Sequence, residues 1–152
     1  MSFPFSKQHD TMLCGVACLS MICRYYGNEE SSKYLLNCCR PTSEGVSMLT
    51  LNDAAIALGF RAVCARISPS KLVQNSFPCI LHWNQNHFVV IYKVKKGRKF
   101  YIADPGKGLV YLQGISKVPN FAIENIKRFD MKKLLILLLV FVTFIPRLCF
   151  WY

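Results

Sequence analysis

Gln8-His9-Asp10-Thr11-Met12-Leu13-Cys14-Gly15 is the stretch of this 152-residue chain whose reading decides the fold. It is a polar lead-in that stops at a cysteine. In the segment that follows, Val16 to Gly27, the residues Cys18, Leu19, Ile22 and Tyr26 recur at helical spacing and Gly27 supplies a C-terminal stop. Asp10 or Thr11 is the expected N-cap, which places Cys14 in the first turn of the helix. There the free backbone N–H groups and the positive end of the helix dipole favour thiolate over thiol. Cys14 is therefore a candidate nucleophile, and Gly15 beside it is expected to leave space for a substrate backbone.

Seven further cysteines are read as structural. Cys18 and Cys23 fall inside the helical pattern, and Cys38, Cys39, Cys64, Cys79 and Cys149 share no pattern, as expected of free cysteines used as small hydrophobes. The first ten residues contain no apolar signal core, so a reducing compartment with free thiols is expected. Cys14 and Cys18 are four apart with no second ligand pair at zinc-finger spacing. Neither a metal nor a cofactor is expected.

At 53% hydrophobic residues the chain is too apolar for disorder, and its length suits one domain with a single core. A net charge of +11 raises the question of nucleic acid. The basic residues are scattered, except for the run from Lys93 to Lys99 around Gly97, which reads as a solvated turn. With no nucleic-acid motif and no aromatic residues interleaved with an arginine-rich face, nucleic-acid binding is not expected. Attraction to an anionic membrane surface accounts for the charge more simply.

The chain divides into a helical half and a strand half. Ser31 to Arg40 can form a short helix, and Ser47 is suited to cap a helix through Leu58 that Gly59 ends. Then the period changes to that of strands. Phe60 to Ile67 reads as a strand, Ser68-Pro69 as a capped helical turn, and residues 79–83, 87–94, 99–104 and 109–112 as strands. Their short links rich in Asn, Gly or Pro predict an antiparallel meander. The class is α+β, with the helices first.

The meander chooses between histidines. With Lys95-Lys96-Gly97-Arg98 as the turn, Val94 faces Lys99 and Val89 faces Asp104, which puts His87 diagonal to Asp104 on one sheet face, within reach of it. His82 faces Phe88 and so points to the opposite side. His9, in the lead-in, is expected at the surface or against substrate. Cys14, His87 and Asp104 together can perform acyl chemistry. A Cys14 thiolate attacks a carbonyl, His87 shares the proton and later delivers it to the leaving amine, and Asp104 orients the imidazole. Gln8 can donate its amide to the oxyanion, with a helix N-terminal N–H, such as that of Cys14, as second donor.

These residues resemble a family, the papain-like peptidases that remove double-glycine leaders from bacteriocin and related precursors, usually as the N-terminal domain of an ABC exporter. Three blocks carry the resemblance: Gln8-x-Asp10-x-x-x-Cys14-Gly15 with Ala17 to Ile22 and Tyr26-Gly27; His82-Trp83-Asn84 with Asn86 to Val90; and Ile102-Ala103-Asp104-Pro105. They span most of the first 112 residues. The resemblance implies a papain-like α+β fold, with Cys14 as nucleophile, His87 as base, Asp104 as orienting acid and Gln8 as oxyanion-hole donor. It also implies cleavage after a Gly-Gly-type pair in a precursor peptide, an ABC exporter or the membrane as partner, and a cytoplasmic location or one at the cytoplasmic face of the bacterial inner membrane.

Two departures stand out. Leu13 occupies the position where family members commonly carry Asp. Beyond Leu112 neither the family's closing segment nor a nucleotide-binding domain is evident. The chain is read as a peptidase domain over residues 1–130 and an apolar, basic-flanked tail over 131–152. Leu134 to Ile145 falls short of the ~20 residues that span a bilayer, which leaves a membrane anchor, a last core element or a truncated terminus as readings of the tail. Two other functions share the residues: a noncatalytic leader-binding module, which retention of Cys14, His87 and Asp104 together disfavours, and a cysteine acyltransferase using the same triad.

Overall fold

The computed structural model describes residues 2–74, 76–83, 86–96, 98–114, 121–124 and 127–128. The tail after residue 130 lies outside the described residues, as do the links at 84–85 and 97.

Three helices come first. The Asp10 side chain accepts from the Met12 N–H at 3.0 Å and opens a 3-10 turn over Thr11–Leu13, from which α1 (Cys14–Tyr25) continues. The expected cap at Asp10 is thus correct, but it acts one turn earlier and Leu13 is the residue flanking α1. Ser31 caps α2 (Ser32–Cys39) through the Tyr34 N–H, and Ser47 caps α3 (Met48–Ala57) through the Thr50 N–H. Each hydroxyl thereby satisfies one of the orphan donors that a helix start leaves.

Strands follow: β1 (Phe60–Arg61), β2 (Cys64–Ile67), then the short helix α4 (Pro69–Leu72), then β3 (Cys79–Trp83), β4 (His87–Lys95), β5 (Lys99–Asp104), β6 (Gly108–Gln113), β7 (Phe121–Glu124) and β8 (Lys127–Arg128). Phe60 to Ile67 is therefore two strands rather than one. β3 to β6 form the expected meander, but the six-stranded sheet has the order β2-β7-β3-β4-β5-β6. β7, which the sequence reading left out, enters between β2 and β3 and pairs antiparallel with both.

The expectation of a single core is also corrected, because the sheet is covered on both faces. One cluster joins Leu19, Met21 and Ile22 of α1, with Leu35 and Leu51, to Ile80, Phe88, Val90 and Ala103 of the sheet. The other gathers Leu72, Leu81, Val89, Ile91, Phe100 and Ile102 on the opposite face. A strand covered on both sides shows a continuous apolar run instead of alternation. That is why Phe88 to Ile91 are all buried, while the outer half of β4 alternates.

Candidate active site

The register between β4 and β5 brings His87 to Asp104 by a different route from the expected one. At the turn, Val94 pairs with Phe100 and Lys95 with Lys99, so the expected Val94–Lys99 pairing is one residue out. Tyr92 is then an extra residue between the pairs Lys93–Tyr101 and Ile91–Ile102, and the bulge restores the expected alignment at Val90–Ala103. The next residues along are Val89 and Asp104, with His87 two further on. The diagonal is realised as a 2.8 Å hydrogen bond between His87 Nε2 and Asp104 Oδ1.

Asp104 is 6% exposed, and the same Oδ1 accepts from the Gly106 N–H at 2.9 Å. The turn after β5 closes with Lys107 N–H donating to the Asp104 carbonyl, and the Pro105 carbonyl accepts from the Gln8 N–H at 3.1 Å. This backbone bond ties the lead-in of the nucleophile to the loop of the acid. The Gln8 side chain lies beside Gly106, and its Oε1 is buried with no hydrogen-bond partner among the described residues.

Cys14, 5% exposed at the start of α1, hydrogen-bonds the His87 side chain. Since Nε2 is engaged by Asp104, Nδ1 is the nitrogen left for the thiol. Burial disfavours the Cys14 thiolate, but the hydrogen bond from His87, the Phe88 N–H, the charge of His87 and the Gly15 N–H together outweigh it and hold the thiol below its ordinary value. The same contact acts in reverse on His87. Its bond with Cys14 raises the imidazole above its ordinary value, burial opposes, and the bond and charge of Asp104 add to the rise. The pair is thereby biased toward thiolate and imidazolium.

The other buried thiols show the contrast. Cys18, one turn along α1, is driven well up by burial and by the charges of Cys14 and Asp104, and burial pushes Cys23 and Cys79 up to about 12. Those cysteines remain protonated and pack in the core, as their positions in the helical and strand patterns imply.

Two expectations about neighbours change. A Cβ on Gly15 would meet Phe88 Cδ2 at 3.3 Å and Val46 Cβ at 3.4 Å, so the glycine lets α1 approach β4 and the Val46 loop rather than making room for substrate. His82 pairs with Phe88 as expected and stacks on its ring at 4.6 Å between centroids. It nevertheless borders the same cleft as Cys14. The assignment of His87 rests on its contacts with both Cys14 and Asp104.

That cleft, of about 350 Å³, is lined by Met12 and Cys14 on one side, by the loop from Thr42 to Met48 on another, and by His82, Asn86 and Phe88. The sequence reading assigned nothing to the loop, although Pro41-Thr42-Ser43-Glu44-Gly45 is a turn signal. Thr42 and Gly45 exchange both backbone hydrogen bonds, and Gly45 has φ +96°, where a Cβ would lie 3.3 Å from the Met12 carbonyl oxygen. A residue with a side chain there would be strained and would push the loop off the lead-in. Among the described residues no cluster of three or more His, Cys, Asp or Glu is placed to hold a metal ion.

The Peptidase C39 family model matches residues 2–142 of the chain. Over 109 residues the chain is 34% identical to the colicin V secretion/processing ATP-binding protein of Escherichia coli, covering 72% of this chain and 16% of that protein. It is 32% identical over 109 residues to the lactococcin-G-processing and transport ATP-binding protein of Lactococcus lactis subsp. lactis, covering 68% of this chain and 15% of that one. The crystal structure of a double glycine motif protease from an AMS/PCAT transporter, in complex with its leader peptide, superimposes with a TM-score of 0.78 at 32% identity, covering 84% of this chain and 93% of that chain. The peptidase domain of Streptococcus ComA shares the fold, with a TM-score of 0.73 at 22% identity over 84% of this chain and all of that one. The α+β papain-like arrangement is therefore as expected. The resemblance does not stop at Leu112, since the match runs on to residue 142 and β7 stands inside the sheet.

Proposed function

The chain belongs to the peptidase C39 family, and from that membership we propose that it is a cysteine endopeptidase that cuts the leader from bacteriocin-like precursor peptides after a Gly-Gly-type pair. The observation that carries this reading is the chain of contacts from Cys14, which lines the cleft, through His87 to Asp104. The Cys14 thiolate attacks the scissile carbonyl, and an acyl-thioester forms as His87 delivers its proton to the leaving amine. Water, deprotonated by His87, then releases the leader. Asp104 holds the imidazole with Nδ1 toward sulfur and stabilises its charge. Gln8 is assigned the side-chain donor to the oxyanion, a role supported by its place six residues before Cys14 and its backbone tie to Pro105.

Small residues before the scissile bond suit the approach of the Gly45 loop to Met12, and the double glycine motif protease to which this chain is similar binds a leader peptide. The E. coli relative is a secretion/processing protein of which this chain spans 16%. An ABC exporter is accordingly the proposed partner, and the cytoplasmic face of the inner membrane the proposed place of work. Among the described residues no helix is long and apolar enough to cross a membrane. Incubation with double-glycine precursor peptides followed by mass spectrometry tests the function. A free leader ending at the Gly-Gly pair is expected, abolished by thiol alkylation. An intact precursor in the presence of folded protein overturns it, and transfer of the acyl group to another amine would indicate an acyltransferase instead.

A further inference from the structure

The sheet face that α1 covers over Val90 and Ala103 continues past the helix as a surface of lysines and tyrosines. The pairings Lys93–Tyr101, Tyr101–Tyr111 and Lys95–Lys99 put these residues side by side on three neighbouring strands. Lys99 Nζ lies 3.9 Å from the centroid of the Tyr111 ring and 5.4 Å from that of Tyr101. Tyr111 is 57% exposed and Leu109 48%. A groove of about 740 Å³ adjoins them, bordered by Phe3, Arg24, Tyr25 and Tyr92, with no carboxylate in its lining.

The charge on this part of the molecule is one-sided. Between His87 and Gly114 the chain has five lysines and one arginine against a single acidic residue, Asp104, which is buried and bonded to His87. A face that merely needed solvation would be served by lysine alone. Exposed tyrosine rings beneath lysine ammonium groups are instead suited to a boundary where rings meet the edge of the hydrocarbon and ammonium groups meet phosphates. We propose that this face docks the domain on an anionic bilayer surface. The basic turn lies at the far end of β4 from His87, roughly 25 Å of strand away, so the cleft stays open to solution when the face is engaged.

Flotation of the full chain with vesicles of phosphatidylcholine, alone or mixed with phosphatidylglycerol, tests this. Binding is expected only with the anionic lipid and should weaken as salt is raised. The triple variant Lys93→Gln/Lys95→Gln/Lys99→Gln should lose roughly 100-fold in partitioning. The charge-matched control Lys7→Gln/Lys33→Gln/Lys71→Gln, whose lysines lie on the lead-in, α2 and α4, should lose much less. Tyr111→Ser should weaken binding with no change of charge. Equal losses in the two triples would reduce the effect to net charge and overturn the proposal. Undiminished binding of the first triple would assign it to another segment and do the same. So would a selective loss, in that triple, of binding to a double-glycine precursor peptide in lipid-free solution, which would make the face a precursor site.

Discussion

His87 and Asp104 meet at 2.8 Å on neighbouring strands only because Tyr92 bulges out of β4 between them and the turn. Were Tyr92 to pair with Ile102 instead of bulging, the alignment set at Lys95–Lys99 would run on unchanged and carry His87 to the wrong sheet face relative to Asp104. Inserting one alanine between Val89 and Val90, which shifts His87 by one position relative to Asp104, should therefore abolish peptidase activity more completely than Tyr92→Phe, which preserves the register. Precursor cleavage by the two variants, each checked for a cooperative thermal transition, measures this.

The thiols of α1 should behave oppositely although they are one turn apart. Cys14→Ala should lower kcat/KM by at least ~10³-fold, because no other group supplies the nucleophile. Cys18→Ala removes only a buried sulfur and should reduce stability by about 1 kcal/mol with activity retained. Comparable losses of activity in the two folded variants would refute the assignment.

His87→Ala should cost ~10²–10⁴ in kcat, the usual contribution of a general acid–base group. His82→Ala loses a stacking contact with Phe88 in the cleft and should act mainly on KM. Asp104→Asn should cause a smaller loss than His87→Ala, since an amide oxygen can still accept from the imidazole and from the Gly106 N–H.

The pH profile follows from the shared proton. Thiolate is required, and its value is held below the ordinary 9.0, so the acid limb of kcat/KM should lie below that value. Imidazolium is required, and its value is raised above the ordinary 6.5, so the alkaline limb should lie above it. His87 is raised first of all by its bond with Cys14; in Cys14→Ala its titration, followed by NMR, should fall back toward 6.5. For stability the sign is that of a raised base. The contribution of His87 is complete below pH 6.5 and is lost as pH rises through the folded value.

Gln8→Ala should slow kcat by ~10²–10³ without unfolding the domain, the usual cost of one oxyanion donor. Its backbone bond to Pro105 does not depend on the side chain, so the lead-in should stay in place. A KM change at constant kcat would reassign Gln8 to substrate binding.

Much of this site could be read from the sequence because its signals are local. A polar lead-in before an apolar helical stripe pointed to Cys14, and the antiparallel meander put Asp104 diagonal to His87. The choice of His87 needed the strand register, which came out right at the site although the pairing at the turn was one residue out, since a bulge at Tyr92 has no sequence signal of its own. β7 was missed for a related reason. It is four residues long and its place between β2 and β3 depends on partners far away in the chain. Gly15 was misread because its function, the approach of α1 to Phe88, involves a contact that only the packed fold creates.

The central claim is that Cys14 forms the acyl bond to the leader. Rapid quenching in acid of a single turnover with a double-glycine precursor, followed by mass mapping of the protein, tests it most directly. The expected species is the leader attached to Cys14 as a thioester, rising with release of the mature peptide and decaying as free leader appears, and absent from Cys14→Ala. Leader release with no adduct at Cys14, persisting in Cys14→Ala, would contradict it.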